Sequence, residues 1–299
     1  MGNCCCSRRF YDEEYGHLRF RFIGNRRFHN ISNSAYAVPN DEEEAERLIR
    51  YHNAGKSIWG GLFKSPVEKK LKEGANVIDI GCGSGTWLID MARKYPNSNF
   101  TGIDFSPIFP TDGIPSNAQF INYNLLDGLP FEDSSFDFIH QKFLVVAFTQ
   151  VQWEEKVIPE LIRLGRPGGW IEFVESDPYL SSDGESTQRI CNAFRDFLTS
   201  KGLNIQLSDD LPLLLENTNK FSEVRKERKR IILGRRGGKA GEETLKFLTK
   251  GMESGRIWLS ASMNITPEHY DLLNEAIPTE VEKYNSFINQ YRFCCHIKE

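Results

Sequence analysis

The chain has 299 residues, 39% of them apolar and 26% charged, with a formal net charge of −4. These proportions suit a globular protein and exclude collagen-like, coiled-coil and wholly disordered chains. No apolar run approaches the roughly 18 residues that a membrane-spanning helix needs, and the acidic balance argues against nucleic acid as a partner of the whole protein.

Residues 1–34 differ from the rest, with six Arg and scattered aromatics but no sustained period. They are predicted to form a flexible basic tail with at most one short element. The absence of an apolar core segment in this stretch argues against a secretory signal and for a cytoplasmic location, where the seven Cys stay reduced. No two Cys have the spacing of a zinc knuckle, so no metal site is expected. The start, Met1-Gly2-Asn3-Cys4-Cys5-Cys6-Ser7-Arg8-Arg9, resembles a myristoylation site with adjacent palmitoylation cysteines. That resemblance implies a two-chain lipid anchor and peripheral membrane contact through Gly2, Cys4, Cys5 and Cys6. It departs from the usual motif at Cys6, where Ser or Thr is common.

One domain is predicted over residues 35–299. Asn40 followed by Glu43 reads as a capping box for a helix burying Ala45, Leu48 and Ile49. Ser65, Pro66 and Glu68 start a second helix that closes at Gly74. From residue 76 the chain alternates. Apolar runs at 77–80, 100–103, 118–122, 136–139 and 169–175 read as buried parallel strands. Between them, 86–95 is helical with Trp87, Leu88, Met91 and Tyr95 on one side. A second helix runs over 152–164, bent or begun at Pro159. Beyond residue 175 come a helix at 186–201, a strand at 221–233 with a basic exposed side, and a two-helix insertion at 241–255 and 267–284, the second helix capped by Thr266. The last strand is 287–297. The pattern predicts a doubly wound α/β fold with a mostly parallel seven-stranded sheet.

The stretch Val77-Ile78-Asp79-Ile80-Gly81-Cys82-Gly83-Ser84-Gly85-Thr86 joins a buried strand to a helix through three alternating glycines. Such a loop lets a ligand approach the backbone closely. It lacks the Lys of a phosphate-binding P-loop, and Thr86 stands where a dinucleotide fingerprint needs its third Gly. Asp79, two residues before the first Gly, would repel a pyrophosphate but suits an amino group. Asp104 ends the next strand, where an acid accepts from both hydroxyls of a ribose. Ribose plus an amino acid, without phosphate, points to S-adenosylmethionine.

At these residues the chain resembles the class I methyltransferases that use S-adenosylmethionine, and among them the fungal enzymes related to regulators of secondary metabolism. The matching stretches lie at 36–47, 77–87, 102–110, 126–131, 135–148 and 166–177. The resemblance implies a Rossmann-like methyltransferase fold and a cofactor site of Asp79, Gly81, Cys82, Gly83, Gly85, Asp104, Phe105, Asn124, Leu125 and Gln141. Asn124 stands where the family often has an acid for the adenine amino group. It leaves two functions open: methyl transfer to a small-molecule or lipid-like acceptor, or a regulatory protein that binds the cofactor with little turnover.

Acceptor residues are expected beyond the carboxyl ends of the fourth and fifth strands, which nominates His140, Glu175 and Asp177 for catalysis. A packed histidine hydrogen-bonded to backbone fits His140 at least as well, and acids at strand ends such as Glu175 and Asp177 also cap the next helix. Glu172, three positions from Glu175, faces the other side of its strand and reads as structural. Trp59, Phe63 and Tyr36 suggest an apolar lid or ordinary core. The run 225–239, with eight Lys or Arg, suits phosphates of lipid or nucleic acid but reads more readily as a solvated sheet edge guarded against pairing. A monomer is expected.

Overall fold

The computed structural model describes residues 20–29 and 38–299. Gly2, Cys4, Cys5, Cys6 and Tyr36 lie outside the described residues.

Within the predicted tail, β1 (Phe20–Ile23) and β2 (Arg26–His29) form an antiparallel hairpin. Phe28 and His29 are buried, and Arg26 grips Asp41 through Nε, 2.6 Å, and Nη2, 2.9 Å. Asp41, not Asn40, caps α1 (Glu42–Trp59), accepting from the Glu44 amide. Ile49 faces outward, and Tyr51, His52, Ala54 and Trp59 are buried. The second helix, α2 (Glu68–Glu73), begins later than the Ser65 signal. Ser65 is diverted: its amide and hydroxyl both donate to Glu172 Oε2, at 2.8 and 2.7 Å.

The sheet follows as β3 (Asn76–Ile80), α3 (Thr86–Lys94), β4 (Asn99–Asp104), β5 (Ala118–Asn122) and β6 (Phe136–Lys142). A short turn at Gln150–Gln152 and a π-helical turn at Trp153–Val157 lead into α4 (Ile158–Leu164), with Pro159 in its first turn, where a missing N–H costs nothing. Then come β7 (Gly165–Ser176), α5 (Glu185–Ser200), α6 (Leu207–Asn217) and β8 (Phe221–Ile232). The insertion holds three helices rather than two: α7 (Gly238–Ser254), α8 (Arg256–Ser262) and α9 (Pro267–Tyr284). Strand β9 (Phe287–Ile297) closes the chain. Thr266 caps α9 as expected.

Seven strands form one sheet in the order β5-β4-β3-β6-β7-β9-β8. The first five are parallel, while β9 runs antiparallel to both neighbours. Ile78, Ile80, Ile139, Ile171, Phe173 and Phe293 are almost wholly buried on the face toward α4 and α6. Each contributes about 1.5–3 kcal/mol of apolar burial. From β3 the chain winds outward through β4 and β5, then returns to β6 on the other side. That reversal opens a crevice at the carboxyl ends of β3 and β6.

The basic strand β8 is the sheet edge. Three of its cations have partners: Arg225 on Glu223, Lys226 on Asp209, and Lys229 on the Ile58 carbonyl.

Candidate active site

In the crevice, Gly81, Gly83 and Gly85 all take positive φ, at 66°, 53° and 69°. The Gly83 amide donates to Asp104 Oδ2 and the Ser106 amide to Asp104 Oδ1, both at 2.8 Å. Asp104 is thus aimed by two backbone donors, while each oxygen keeps a second lone pair. Burial pushes its carboxyl up to about 6 against those two bonds. A single cavity is lined by Asp79, Gly81, Cys82, Gly83, Asp104, Phe105, Asn124, Leu125 and His140. Gly85 is not in its wall. It caps α3 and lets the Phe120 ring approach, because a Cβ there would lie 2.4 Å from the ring. Asn124 caps the helical turn at Leu125–Asp127, its oxygen accepting from the Leu126 amide at 3.1 Å.

Asp79 and His140 are neighbours across β3 and β6. His140 Nδ1 lies 2.7 Å from Asp79 Oδ1, and its ring stacks on Trp87 at 3.7 Å. Burial pushes the Asp79 carboxyl well up and the imidazole down to about 3. Burial thus disfavours charge on both members of the pair. With Nδ1 committed, only Nε2 remains for a ligand.

Besides Gly85, three predicted residues do not reach the cavity. Strand β6 continues to Lys142 rather than ending at residue 139, so His140 and Gln141 sit inside it and face opposite sides. Gln141 points into the α4 side, beside Glu175. Glu175 accepts the amides of Leu144 and Val145, at 2.9 and 3.1 Å, and fixes the loop after β6. Asp177 is taken by β9, whose Asn289 side chain donates to its Oδ2 at 2.8 Å. Glu172 is structural as expected, its Oε2 accepting from Lys64, Ser65 N and Ser65 Oγ. Phe63 packs on Tyr95 and Phe138, and the Trp59 indole donates to Gln290.

Glu175 supplies a pH test. Burial raises it from an ordinary 4.5 to about 8, so the folded state holds this proton more tightly than the unfolded chain. Its contribution is therefore full below the unfolded value and is lost as pH rises toward 8. Glu175→Gln, which keeps an acceptor without the charge, is expected to flatten the fall in stability across that window by on the order of 2 kcal/mol. Thermal unfolding at several pH values checks this, and an unchanged slope would refute it.

Lys142 and, from α1, Tyr51 and His52 complete the cavity. His52 Nε2 lies 3.0 Å from Asp90, which also accepts from Lys56 at 2.7 Å. Burial lowers His52 to about 4 and Lys142 to about 8.

Residues 77–169 match the model of the family described as "Methyltransferase domain". Residues 77–169 thus carry a methyltransferase-domain sequence pattern. Over 144 residues the chain is 33% identical to the N-methyltransferase verN of Clonostachys rogersoniana, covering 47% of this chain and 50% of that protein. It is 30% identical to the secondary metabolism regulator laeA of Aspergillus niger over 153 residues, 51% of this chain and 39% of that one. The methyltransferase domain thus spans about half the length, or less, of these relatives. Among solved structures, phosphoethanolamine N-methyltransferase 2 of Haemonchus contortus superposes with a TM-score of 0.50 at 16% identity, over 83% of this chain and 57% of that one. This likeness is one of fold.

The methyltransferase cavity fits its cofactor in chemistry. Asp104 offers two fixed acceptors for a ribose, and Asp79 keeps Oδ2 for an ammonium because His140 engages only Oδ1. Ile103, Phe105 and Leu125 supply apolar walls for a base. Among the described residues no helix is long and apolar enough to cross a membrane.

Proposed function

We propose that the protein transfers a methyl group from S-adenosylmethionine to a small-molecule or lipid-like acceptor, acting as a monomer. The supporting observation is that one cavity joins the glycine loop and Asp104 to a polar end formed by Tyr51, His52, His140 and Lys142. When bound, S-adenosylmethionine supplies an electrophilic methyl on a sulfonium. The chain's own residues then have only to align an acceptor and handle its proton.

Asp104 holds the ribose, Asp79 the amino group, and Asn124 and Leu125 the rim of the base. His140, clamped by Asp79 and Trp87, presents Nε2 to the acceptor. Its depressed basicity suits hydrogen bonding better than proton removal. Titrating purified protein with S-adenosylhomocysteine by calorimetry, then assaying labelled methyl transfer into small-molecule and lipid extracts, tests the reading. Absence of binding would refute it. Binding without transfer would favour the regulatory reading that the likeness to laeA keeps in view.

The proposal extends to a cytoplasmic protein held at membranes by acylation of Gly2 and of Cys4, Cys5 or Cys6. Cells fed an alkyne myristate should label the protein, and Gly2→Ala should abolish the label. Label retained in that variant would refute myristoylation.

A further inference from the structure

A second, smaller cavity adjoins the first and shares His52, Trp87, His140 and Lys142 with it. Its titratable lining is His52, Lys56, His140, Lys142 and Arg292, with no carboxylate. His52 and Lys56 are held by Asp90. The other two cations are not satisfied in this way. Arg292, on β9, is only 4% exposed, and neither its Nε nor its Nη1 makes a hydrogen bond. Glu172 Oε1 lies 3.3 Å from Nε, near enough for attraction but without hydrogen-bond geometry. The Lys142 Nζ makes no hydrogen bond among the described residues, and Gly55 is what leaves it room, since a Cβ there would lie 3.2 Å from its Nζ.

A buried guanidinium with unmet donors is costly, and a like charge beside it adds to that cost. Burial disfavours the charge on both, Glu172 partly offsets it at Arg292, and Arg292 further depresses Lys142. An anion between them removes both costs. The guanidinium fork matches a planar carboxylate, and the Trp59 ring, 4.6 Å from the guanidinium carbon, fixes the plane of that fork.

We infer that the second cavity binds a carboxylate of the methyl acceptor through Arg292 and Lys142. This rests on the methyltransferase reading above. A carboxylate paired with two cations is a weak nucleophile, so the group anchors the acceptor and a different atom, lying in the first cavity, takes the methyl.

The test uses phenylacetate and its neutral counterpart phenylacetamide, followed by tryptophan fluorescence and calorimetry, with S-adenosylhomocysteine titrated in parallel. Phenylacetate should bind at least tenfold tighter than the amide. Arg292→Gln and Lys142→Gln should each weaken phenylacetate at least tenfold, and Arg292→Lys, which keeps a cation opposite Glu172, should restore part of the loss. Circular dichroism melts confirm that each variant is folded. No phenylacetate binding, equal binding of acid and amide, or an acid affinity indifferent to folded variants would each overturn the inference. The cofactor titration judges only the methyltransferase reading: phenylacetate binding that survives a failure to bind S-adenosylhomocysteine supports the anion subsite and sinks the cofactor assignment.

Discussion

Asp104→Ala is expected to weaken S-adenosylmethionine binding about a hundredfold, because two hydrogen bonds to a charged acceptor are worth about 3 kcal/mol together. The carboxylate is preorganised by the Gly83 and Ser106 amides at 2.8 Å, so a ligand meets acceptors already in place. Asp104→Asn separates the contributions. Its single oxygen can keep one backbone partner, and an intermediate loss of about tenfold is expected. Calorimetric titration reads both. The pH dependence has a defined sign: the carboxyl titrates near 6, so affinity should fall as pH drops through that value and hold above it. An affinity equal to that of the unaltered protein in Asp104→Ala would place the ribose elsewhere.

Gly85→Ala should be strongly disruptive, because a left-handed backbone and an aromatic ring both oppose the added methyl. Gly60 provides the control, since its φ of 68° nearly equals the 69° at Gly85, yet nothing lies within 4 Å of a Cβ there. Alanine at Gly60 carries only the backbone cost, roughly 1–2 kcal/mol. Alanine at Gly85 adds a 2.4 Å clash with the Phe120 ring, which stacks on Phe109 at 5.0 Å and cannot swing away without losing that contact. Overpacking of this kind adds about 1–3 kcal/mol. Denaturant unfolding of both variants measures the difference, and equal losses would show that the ring yields.

The cofactor half of the site was legible because it is written in contiguous segments. Glycine spacing and the two acids fix a loop and its ligand chemistry within about 25 residues, and parallel strands announce themselves as apolar runs. The acceptor half was not. His52, Lys142 and Arg292 come from α1, β6 and β9, and nothing in their local sequence brings them together. His140 and Gln141 could not both face the cavity once the strand continued through them, a consequence of period-two alternation that depends on where pairing with β7 ends. Glu175 and Asp177 looked available because strand ends usually are. Here the loop after β6 and the reversed strand β9 consume them. Helix α6 escaped notice because Pro212 interrupts its pattern, although Leu207, Leu211 and Leu215 bury one face at helical spacing. The short α8 hid inside what read as a connection between two helices.

Helix α1 roofs the cavity with Leu48, Tyr51 and His52. It is tied down at its ends, by Arg26 on its cap and by the Trp59 indole on Gln290. The sheet beneath opens only when the whole domain does, whereas an amphipathic helix on the surface opens on its own at lower cost. A ligand at a hundred times its dissociation constant adds about 2.7 kcal/mol to whatever must part to release it. In this fold that increment falls on α1 and the hairpin before it. The cofactor therefore sets the local firmness of this layer while the central sheet stands without it, and α1 with the hairpin registers cofactor supply as a change in its own order.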